Sequence, residues 1–329
     1  MFAAHIGDSG TRGLDTNGWH WLWIADGRSS ALFAVLAGVT ISLMTAKDLT
    51  GRTHAAARVA ARGAVLIVAG YALDLLGTPV DVILTNLGLM FLLVVPAMWW
   101  RGRTLAIVGI GILVVGGLIF PSIEDLGEGI PIFEKLASHH YPALIWAGYL
   151  LVGMAVGRMP LRAAGTAARL AGWGAVTAVI AYGAGAASGG TTPWADARLG
   201  QTGLGQTVGP EWASIAPHSN SAFELVGNVG VALLVIGVCV LAVRPSRWTF
   251  PLLAFGSMSL TMYTAHILVI AIVGDAIVWQ PSNVALVGLT VGLMAAATVW
   301  RATMGAGPLE RVLTRVSGAA ADGVTSRDS

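Results

Sequence analysis

The alternation of apolar and polar segments divides the chain into nine long hydrophobic stretches with short polar connections. A helix needs about 20 apolar residues to cross a bilayer, and each stretch approaches that length. We place the stretches near residues 29–46, 59–76, 80–100, 103–120, 141–158, 166–187, 221–243, 249–273 and 283–304. The pattern predicts an all-α, polytopic transmembrane helix bundle with nine full spans.

Shorter segments precede and follow these stretches. Residues Met1 to Ile6 are typical of the end of a helix that breaks at Gly7. We interpret them as the remnant of a truncated first span, which a longer gene product would complete. Residues 1–315 are expected to form a single membrane domain, and residues 316–329, which are small and polar, a disordered cytoplasmic tail.

Charge predicts the orientation, because cytoplasmic loops of membrane proteins carry an excess of lysine and arginine. Alternate connections hold that excess here, and the intervening connections hold most of the acidic residues. The basic set is Lys47, Arg52, Arg58, Arg62, Arg101, Arg103, Arg158, Arg162, Arg169, Arg244, Arg247, Arg301, Arg311 and Arg315. We therefore expect a multi-pass protein of the cell (plasma) membrane with a cytoplasmic C-terminus.

Composition agrees with this interpretation. The chain is 55% hydrophobic and 11% charged, whereas soluble domains carry about 25% charged residues. The net charge of +2 follows from the basic cytoplasmic loops, so it does not indicate a nucleic-acid partner. Because Cys239 is the single cysteine, a disulfide within the chain is excluded.

Histidines supply the first functional signal, since imidazole is the commonest proton-transfer group in enzymes. Six of the seven histidines fall on the predicted outer side: His5, His20, His139, His140, His218 and His266. The first outer connection adds Asp26 and Arg28. A purely structural alternative treats its tryptophans as an interfacial belt and Asp26 as a helix N-cap.

Other polar residues are predicted at the same depth near the ends of several spans. Ionisable groups there are costly unless they pair or line a cavity. We predict an outward-opening polar cavity that binds substrate through Asp81, Asn86, His140, Tyr141, His218, Glu224, Asn228 and Tyr263.

Several segments together resemble a known family, and the likeness covers nearly the whole chain. They are Ala25–Val39, Thr78–Leu84, His140–Pro142 with Gly153–Arg158, Gly256–His266 and Gly307–Glu310. These segments resemble the YeiB-like and heparan-alpha-glucosaminide N-acetyltransferase-like membrane proteins. The resemblance implies an acyltransferase that passes an acyl group, expected to be acetyl, from cytoplasmic acyl-CoA to a hydroxyl or amine of an outer-face sugar or lipid.

The resemblance also suggests a catalytic set. His5 stands where the family has an asparagine, His20 is the nearest match to the catalytic histidine, and Ala25-Asp26 match an Ala-Asp element. His20 would act as the base or carry the acyl group, Asp26 would fix its tautomer, and Arg28 or a second histidine such as His266 would stabilise the oxyanion.

The acyl-CoA co-substrate would have to reach this set from the cytoplasm. Arg52, Arg58, Arg101 and Arg103, with Arg62 beside them, could attract its phosphates, although each could equally be a topology signal alone. No metal is expected, and a homodimer is left open.

Two other functional classes remain open. A transporter or flippase of a polar or lipid-linked solute would also need a cavity, together with inverted halves and matching broken helices. A metal- or pH-responsive protein could use the same histidines, although they lack local ligand spacing.

Overall fold

The computed structural model describes residues 1–8, 19–48, 50–123, 135–137, 140–190 and 210–325, and every regular element within them is a helix. This confirms the all-α prediction for the described part of the chain. Short 3-10 helices cover His20–Ala25, Val95–Ala97 and Glu211–Ala213. The α-helices are α1 (Phe2–Ile6), α2 (Arg28–Lys47), α3 (Arg52–Asp74), α4 (Ile83–Val94), α5 (Gly102–Ile123), α6 (Ala143–Gly157), α7 (Ala164–Ala187), α8 (Ala222–Ala242), α9 (Phe250–Ser257), α10 (Ser259–Val273), α11 (Ala276–Trp279), α12 (Asn283–Met304) and α13 (Pro308–Thr325).

Six of these helical segments are long and apolar enough to cross a membrane, and the α9–α10 pair would make a seventh if it counts as one span. The α4 segment, extended to Ala97, and α6 are apolar but shorter. The surface of the helix bundle is strongly apolar, and the side chains of Val284, Ile272 and Ile107 are 84%, 83% and 72% exposed. Such side chains on the outside favour a lipid environment. Helices occupy all nine predicted positions, and the count of nine full spans stays a prediction.

The centre of the bundle is formed by α2, α4, α6 and α8. Helix α6 packs against α2, α4 and α5, and α8 packs against α7, α5 and α2. Gly38 and Gly153 allow α2 and α6 to touch through their backbones, because a Cβ on either would collide with a carbonyl oxygen of the other helix. Small residues of this kind are a common means of helix association in lipid.

These four central helices begin at the same end of the bundle, which we call the site end. The residues that precede them, Gly27, Asp81, Tyr141 and His218, border one cavity. Helix α1 ends at Gly7, as predicted. Its His5 reaches the same cavity.

The stretch 249–273 was predicted as one uninterrupted span, and the structure corrects this. The helix breaks at Met258, and its two halves are bent by 81°. Glu310 occupies the break: Oε1 accepts hydrogen bonds from the backbone N–H groups of Leu260 (2.9 Å) and Thr261 (3.0 Å), and Oε2 accepts one from the Thr261 hydroxyl (2.5 Å). The carboxylate thus satisfies N–H groups that the break leaves without helical partners.

The predicted disordered tail is also corrected. Helix α13 continues to Thr325 and packs on α3, and residues 326–329 lie outside the described part. Ser317 and Ala321 are fully buried, and His54 lies 3.1 Å from Asp322. The small side chains that made this segment look irregular permit close packing against a neighbouring helix.

Replacing Glu310 by alanine should lower the free energy of unfolding by about 0.5–2 kcal/mol, the usual cost of losing an N-terminal cap. Thermal unfolding of the detergent-solubilised protein would measure this. Asp275→Ala is the matched control, because that exposed carboxylate makes no capping hydrogen bond. Equal melting temperatures for the two variants would contradict the capping role.

Candidate functional site

The site end holds a cavity of about 350 Å³, which we call the polar cavity. It brings together six of the predicted site residues from well-separated parts of the chain. They are His5, Asp26, Asp81, His140, Tyr141 and His218. Its remaining lining residues are Met1, Ala4, Gly27, Ser30, Pro79, Val80, Pro217 and Val278.

Asp81 and His140 form an ion-pair contact inside this cavity. The Asp81 Oδ2 atom lies 3.1 Å from His140 Nδ1, and both side chains remain about half exposed to the cavity and its mouth (63% and 48%). A carboxylate at Nδ1 favours the tautomer with the proton on that nitrogen and leaves the lone pair on Nε2. The sequence placed both residues in substrate binding, but it gave no sign that they touch.

His218 is held beside this pair. Its Nδ1 lies 3.2 Å from the His140 carbonyl oxygen, and because a carbonyl only accepts, His218 Nδ1 carries the proton. The imidazole ring lies parallel to the Trp146 indole at 6.4 Å and edge-on to Tyr141 at 5.3 Å. The orientation of His218 is therefore fixed by both a hydrogen bond and ring packing.

Glu224 anchors the loop that carries His218. Its carboxylate accepts hydrogen bonds from the backbone N–H groups of His218 (3.0 Å) and Asn220 (2.8 Å) and from the Ser219 hydroxyl (3.3 Å). His218 and Asn220 have positive φ angles of 63° and 49°. Such conformations cost free energy in non-glycine residues and persist only where the surroundings enforce them.

A chain of buried and part-buried polar groups runs from Glu224 to Arg28. Asn228 donates to Glu224 Oε1 (3.1 Å), Tyr182 donates to Asn228 Oδ1 (2.6 Å), and Arg28 Nε donates to the Tyr182 oxygen (3.1 Å). Arg28 also stacks on the rings of Trp23 (5.0 Å) and Tyr182 (4.9 Å). Opposite charges linked in this way can both tolerate burial.

This network contains three of the predicted site residues, whose catalytic and substrate-binding roles stay predictions. Arg28, Glu224 and Asn228 are buried (7%, 2% and 1% exposed) and lie behind the cavity wall, outside its lining. Arg28 was predicted to stabilise an oxyanion and the other two to bind substrate. In the structure all three support the wall from which His218 projects.

Asn86 and Tyr263 also lie outside the lining of the polar cavity, and their substrate-binding roles stay predictions. Asn86 donates to the carbonyl oxygens of Lys135 (2.8 Å) and Tyr141 (2.7 Å), so it fixes the backbone next to His140. The Tyr263 hydroxyl accepts a hydrogen bond from the Ile83 N–H (3.3 Å) at the start of α4. Both residues shape the cavity from outside it.

His5 and His266 are in contact through their imidazole rings. His5 Nδ1 lies 3.0 Å from His266 Nε2, and the two rings stack at 5.2 Å. His5 lines the polar cavity, whereas His266 is fully buried and packs against Phe2 and Tyr263. His266 therefore contacts the cavity through His5, and its predicted catalytic role stays a prediction.

The residue that the family resemblance suggests as catalytic, His20, begins the 3-10 helix His20–Ala25. Its side chain lies outside the part of the molecule that the structure describes, as does His139. Asp26, its predicted partner, lines the polar cavity. The assignment of His20 stays a prediction.

The arginines predicted to attract CoA lie at the opposite end of the bundle. Arg52 stacks on Trp99 at 5.5 Å, which brings the start of α3 next to the exposed Arg101 and Arg103. Arg58 lies 4.0 Å from Asp48. Burial would raise the pKa of Asp48, but hydrogen bonds from His54 and from the Thr50 backbone lower it below its ordinary value. The Arg58 guanidinium thus lies beside a carboxylate. Arg52, Arg101 and Arg103 are therefore the better-placed cations.

Two further observations bear on the class of site. Within the described residues, no group of three or more histidine, cysteine, aspartate or glutamate side chains is placed to hold a metal ion. Comparison of the chain with protein-family models, curated proteins and solved structures finds no match. The geometry of the polar cavity is therefore the main ground for a functional proposal.

Proposed function

We propose that this protein is an integral membrane acyltransferase of the plasma membrane. It would move an acyl group, with acetyl as the expected one, from cytoplasmic acyl-CoA to a hydroxyl or amine of an outer-face sugar or lipid. The observation that supports this most is the contact between Asp81 and His140 in a cavity that also exposes His5 and His218. Positioned imidazoles are the usual bases of acyl transfer.

In the proposed reaction, His140 Nε2 takes the proton of the acceptor hydroxyl or amine. The acceptor oxygen or nitrogen then bonds to the thioester carbonyl carbon. When the carbon–sulfur bond breaks, its electron pair leaves on the CoA sulfur, which takes the proton back from the imidazolium. The products are the acylated acceptor and free CoA. The Asp81 carboxylate would stabilise the imidazolium while it exists.

Helix dipoles would assist this step. Helices α2, α4, α6 and α8 begin within four residues of Gly27, Asp81, Tyr141 and His218, which border the polar cavity. The N-terminal end of a helix carries a partial positive charge and favours an anion. Four such ends directed at one cavity would stabilise the negative charge that develops on the carbonyl oxygen.

The donor would enter from the end that carries Arg52, Arg101 and Arg103, which the proposal places on the cytoplasmic side together with the C-terminus. Phosphates of CoA would bind these cations, and the thioester would reach the polar cavity between the helices. This arrangement needs the nine-span topology with the site end outside. His20 and Asp26 remain further candidates for catalysis at that end, and a homodimer stays open.

Acetyl-CoA should stabilise the purified protein in thermal unfolding, by about 2.7 kcal/mol at 100 times its dissociation constant. The combined variant Arg52→Gln, Arg101→Gln, Arg103→Gln should lose most of this stabilisation. Arg244→Gln, Arg247→Gln is the matched control, because these arginines lie in another connection on the same predicted side. The absence of both a thermal shift and transfer of labelled acetyl groups would contradict the proposal.

One observation favours a second candidate function. The break at Met258 is a feature of transporters, whose binding sites are often built from discontinuous helices. A transporter of a polar or lipid-linked solute would show uptake into proteoliposomes without any acyl donor. It should also lose that uptake when Glu310, which fills the break, is replaced.

A further inference from the structure

A second cavity lies next to the polar cavity, and the functional proposal does not use it. It has a volume of about 550 Å³, within the usual range for ligand pockets. Its walls are almost entirely apolar, and we call it the apolar cleft. The residues that define it here are Phe2, Trp21, Phe33, Gly256, Tyr263 and Leu286.

The apolar cleft and the polar cavity adjoin, and Met1 lines both. In α1, Phe2 and Ala3 line the cleft while Ala4 and His5 line the cavity. The chain repeats this at the start of α2, where Ala25 borders the cleft and the next residue, Asp26, borders the cavity. A molecule with a polar part and an apolar part could therefore occupy both spaces beside Met1, where they meet.

The cleft runs from the site end toward the middle of the bundle. Its outer rim contains Trp21 and Ile24, which are 61% and 51% exposed. It continues past Phe33, five residues or roughly 7 Å into α2, to Gly256 at the α9–α10 break. Tryptophan is enriched at the level of lipid headgroups. The cleft thus has the direction of a lipid chain in the leaflet at the site end.

We propose that the apolar cleft binds the hydrocarbon chain of a membrane lipid whose polar head enters the polar cavity as the acyl acceptor. This inference rests on the proposed function and narrows its acceptor from a sugar or lipid to a lipid. A water-soluble sugar would leave the aromatic walls of the cleft in contact with bulk lipid or water and would gain nothing from them. A chain in the cleft would instead bury apolar surface and hold the head beside His140 and His5.

A photoreactive lipid tests this directly. The full chain is reconstituted in nanodiscs that contain a phospholipid with a diazirine near the end of one acyl chain, and labelled peptides are mapped by mass spectrometry after illumination. Labelling should concentrate on the peptides that carry Phe33, Gly256 and Leu286. It should exceed the labelling of lipid-facing positions outside the cleft, such as those around Val179 and Ile107.

Gly256→Phe is the variant that separates a specific site from general lipid contact. A Cβ on Gly256 meets no atom within 4 Å, so the new ring would enter open space at the cleft without a backbone clash. Labelling of the cleft should fall about tenfold, as for a loss of one order of magnitude in affinity. Gly292→Phe on α12 is the matched control, since its Cβ also meets no atom within 4 Å and Gly292 is exposed outside the cleft.

Each outcome decides a separate point. Equal cleft labelling in Gly256→Phe and Gly292→Phe, or labelling spread evenly over the apolar surface, would overturn the lipid site. Should Gly256→Phe fail to fold, Thr290→Trp blocks the cleft from α12 and gives the same readout. Specific cleft labelling without acyl transfer would keep the lipid site and remove the enzymatic proposal. Transfer to a soluble sugar without cleft labelling would keep the enzymatic proposal and remove the lipid site.

Discussion

His140→Ala should lower kcat/KM for acyl transfer by about 10²- to 10⁴-fold, the usual contribution of a positioned general base. The variant removes the Nε2 lone pair and leaves the Asp81 carboxylate without its imidazole partner, which lies 3.1 Å away in the native protein. His140 makes its contacts at the cavity rim and is half exposed, so the fold should survive the change. Transfer of labelled acetyl groups in nanodiscs, together with thermal unfolding, measures both effects.

Asp81→Asn tests the same pair from the other side. An amide at this position can donate a hydrogen bond to Nδ1, which would favour the tautomer with the lone pair on Nδ1 and the proton on Nε2. We expect a loss of transfer similar to that of His140→Ala. Glu211→Gln is the matched control, because it neutralises an exposed acid near the same end that does not line the cavity. If His140→Ala kept full activity while His5→Ala lost it, the base would be the His5–His266 pair and the assignment of His140 would be wrong.

The convergence of polar residues could be predicted from the sequence for a physical reason. The charge pattern assigned each connection to one side of the bundle, which placed His5, His140 and His218 at one level. Polar groups at helix ends within an apolar protein must face a cavity or one another. These two constraints are enough to bring residues from distant segments together, and the polar cavity contains all three histidines.

The individual roles of those residues could not be predicted. Glu224 and His218 lie at the same depth, yet one is buried behind the wall and the other lines the cavity. A helix that is apolar on every side has no periodic polar face to report its rotation. Which residues point into the cavity therefore depends on tertiary contacts, such as the one between Asp81 and His140, which are far apart in sequence.

The break at Met258 and the helical C-terminal segment were missed because both depend on distant partners. The run 249–273 is continuously apolar, and the acceptor for the N–H groups at its break is Glu310, which lies far along the chain. The segment after Arg315 has few large apolar residues, so it has little reason to fold alone. It forms helix because Ser317 and Ala321 pack on α3.

Glu224→Ala should have the largest effect on stability, a loss of about 3–5 kcal/mol in the free energy of unfolding. The carboxylate accepts hydrogen bonds from two backbone N–H groups, from Ser219 and from Asn228. Without it, Arg28 would remain buried with no opposing charge in the network. His218 would also lose the contact that enforces its positive φ, so acyl transfer should fall in any fraction that still folds.

A second substitution separates the two effects of Glu224, which are the balance of the Arg28 charge and the anchoring of the loop that carries His218. In the double variant Glu224→Leu, Arg28→Met, both buried charges are replaced by apolar side chains, and much of the stability should return. Transfer should stay low in the double variant, because the His218 and Asn220 N–H groups still lack their acceptor. Thermal unfolding would measure the loss of stability in Glu224→Leu, in Arg28→Met and in the double variant. If the loss in the double variant equalled the sum of the two single losses, the coupling of Arg28 to Glu224 would be contradicted. Restored transfer would show that His218 does not need this anchor.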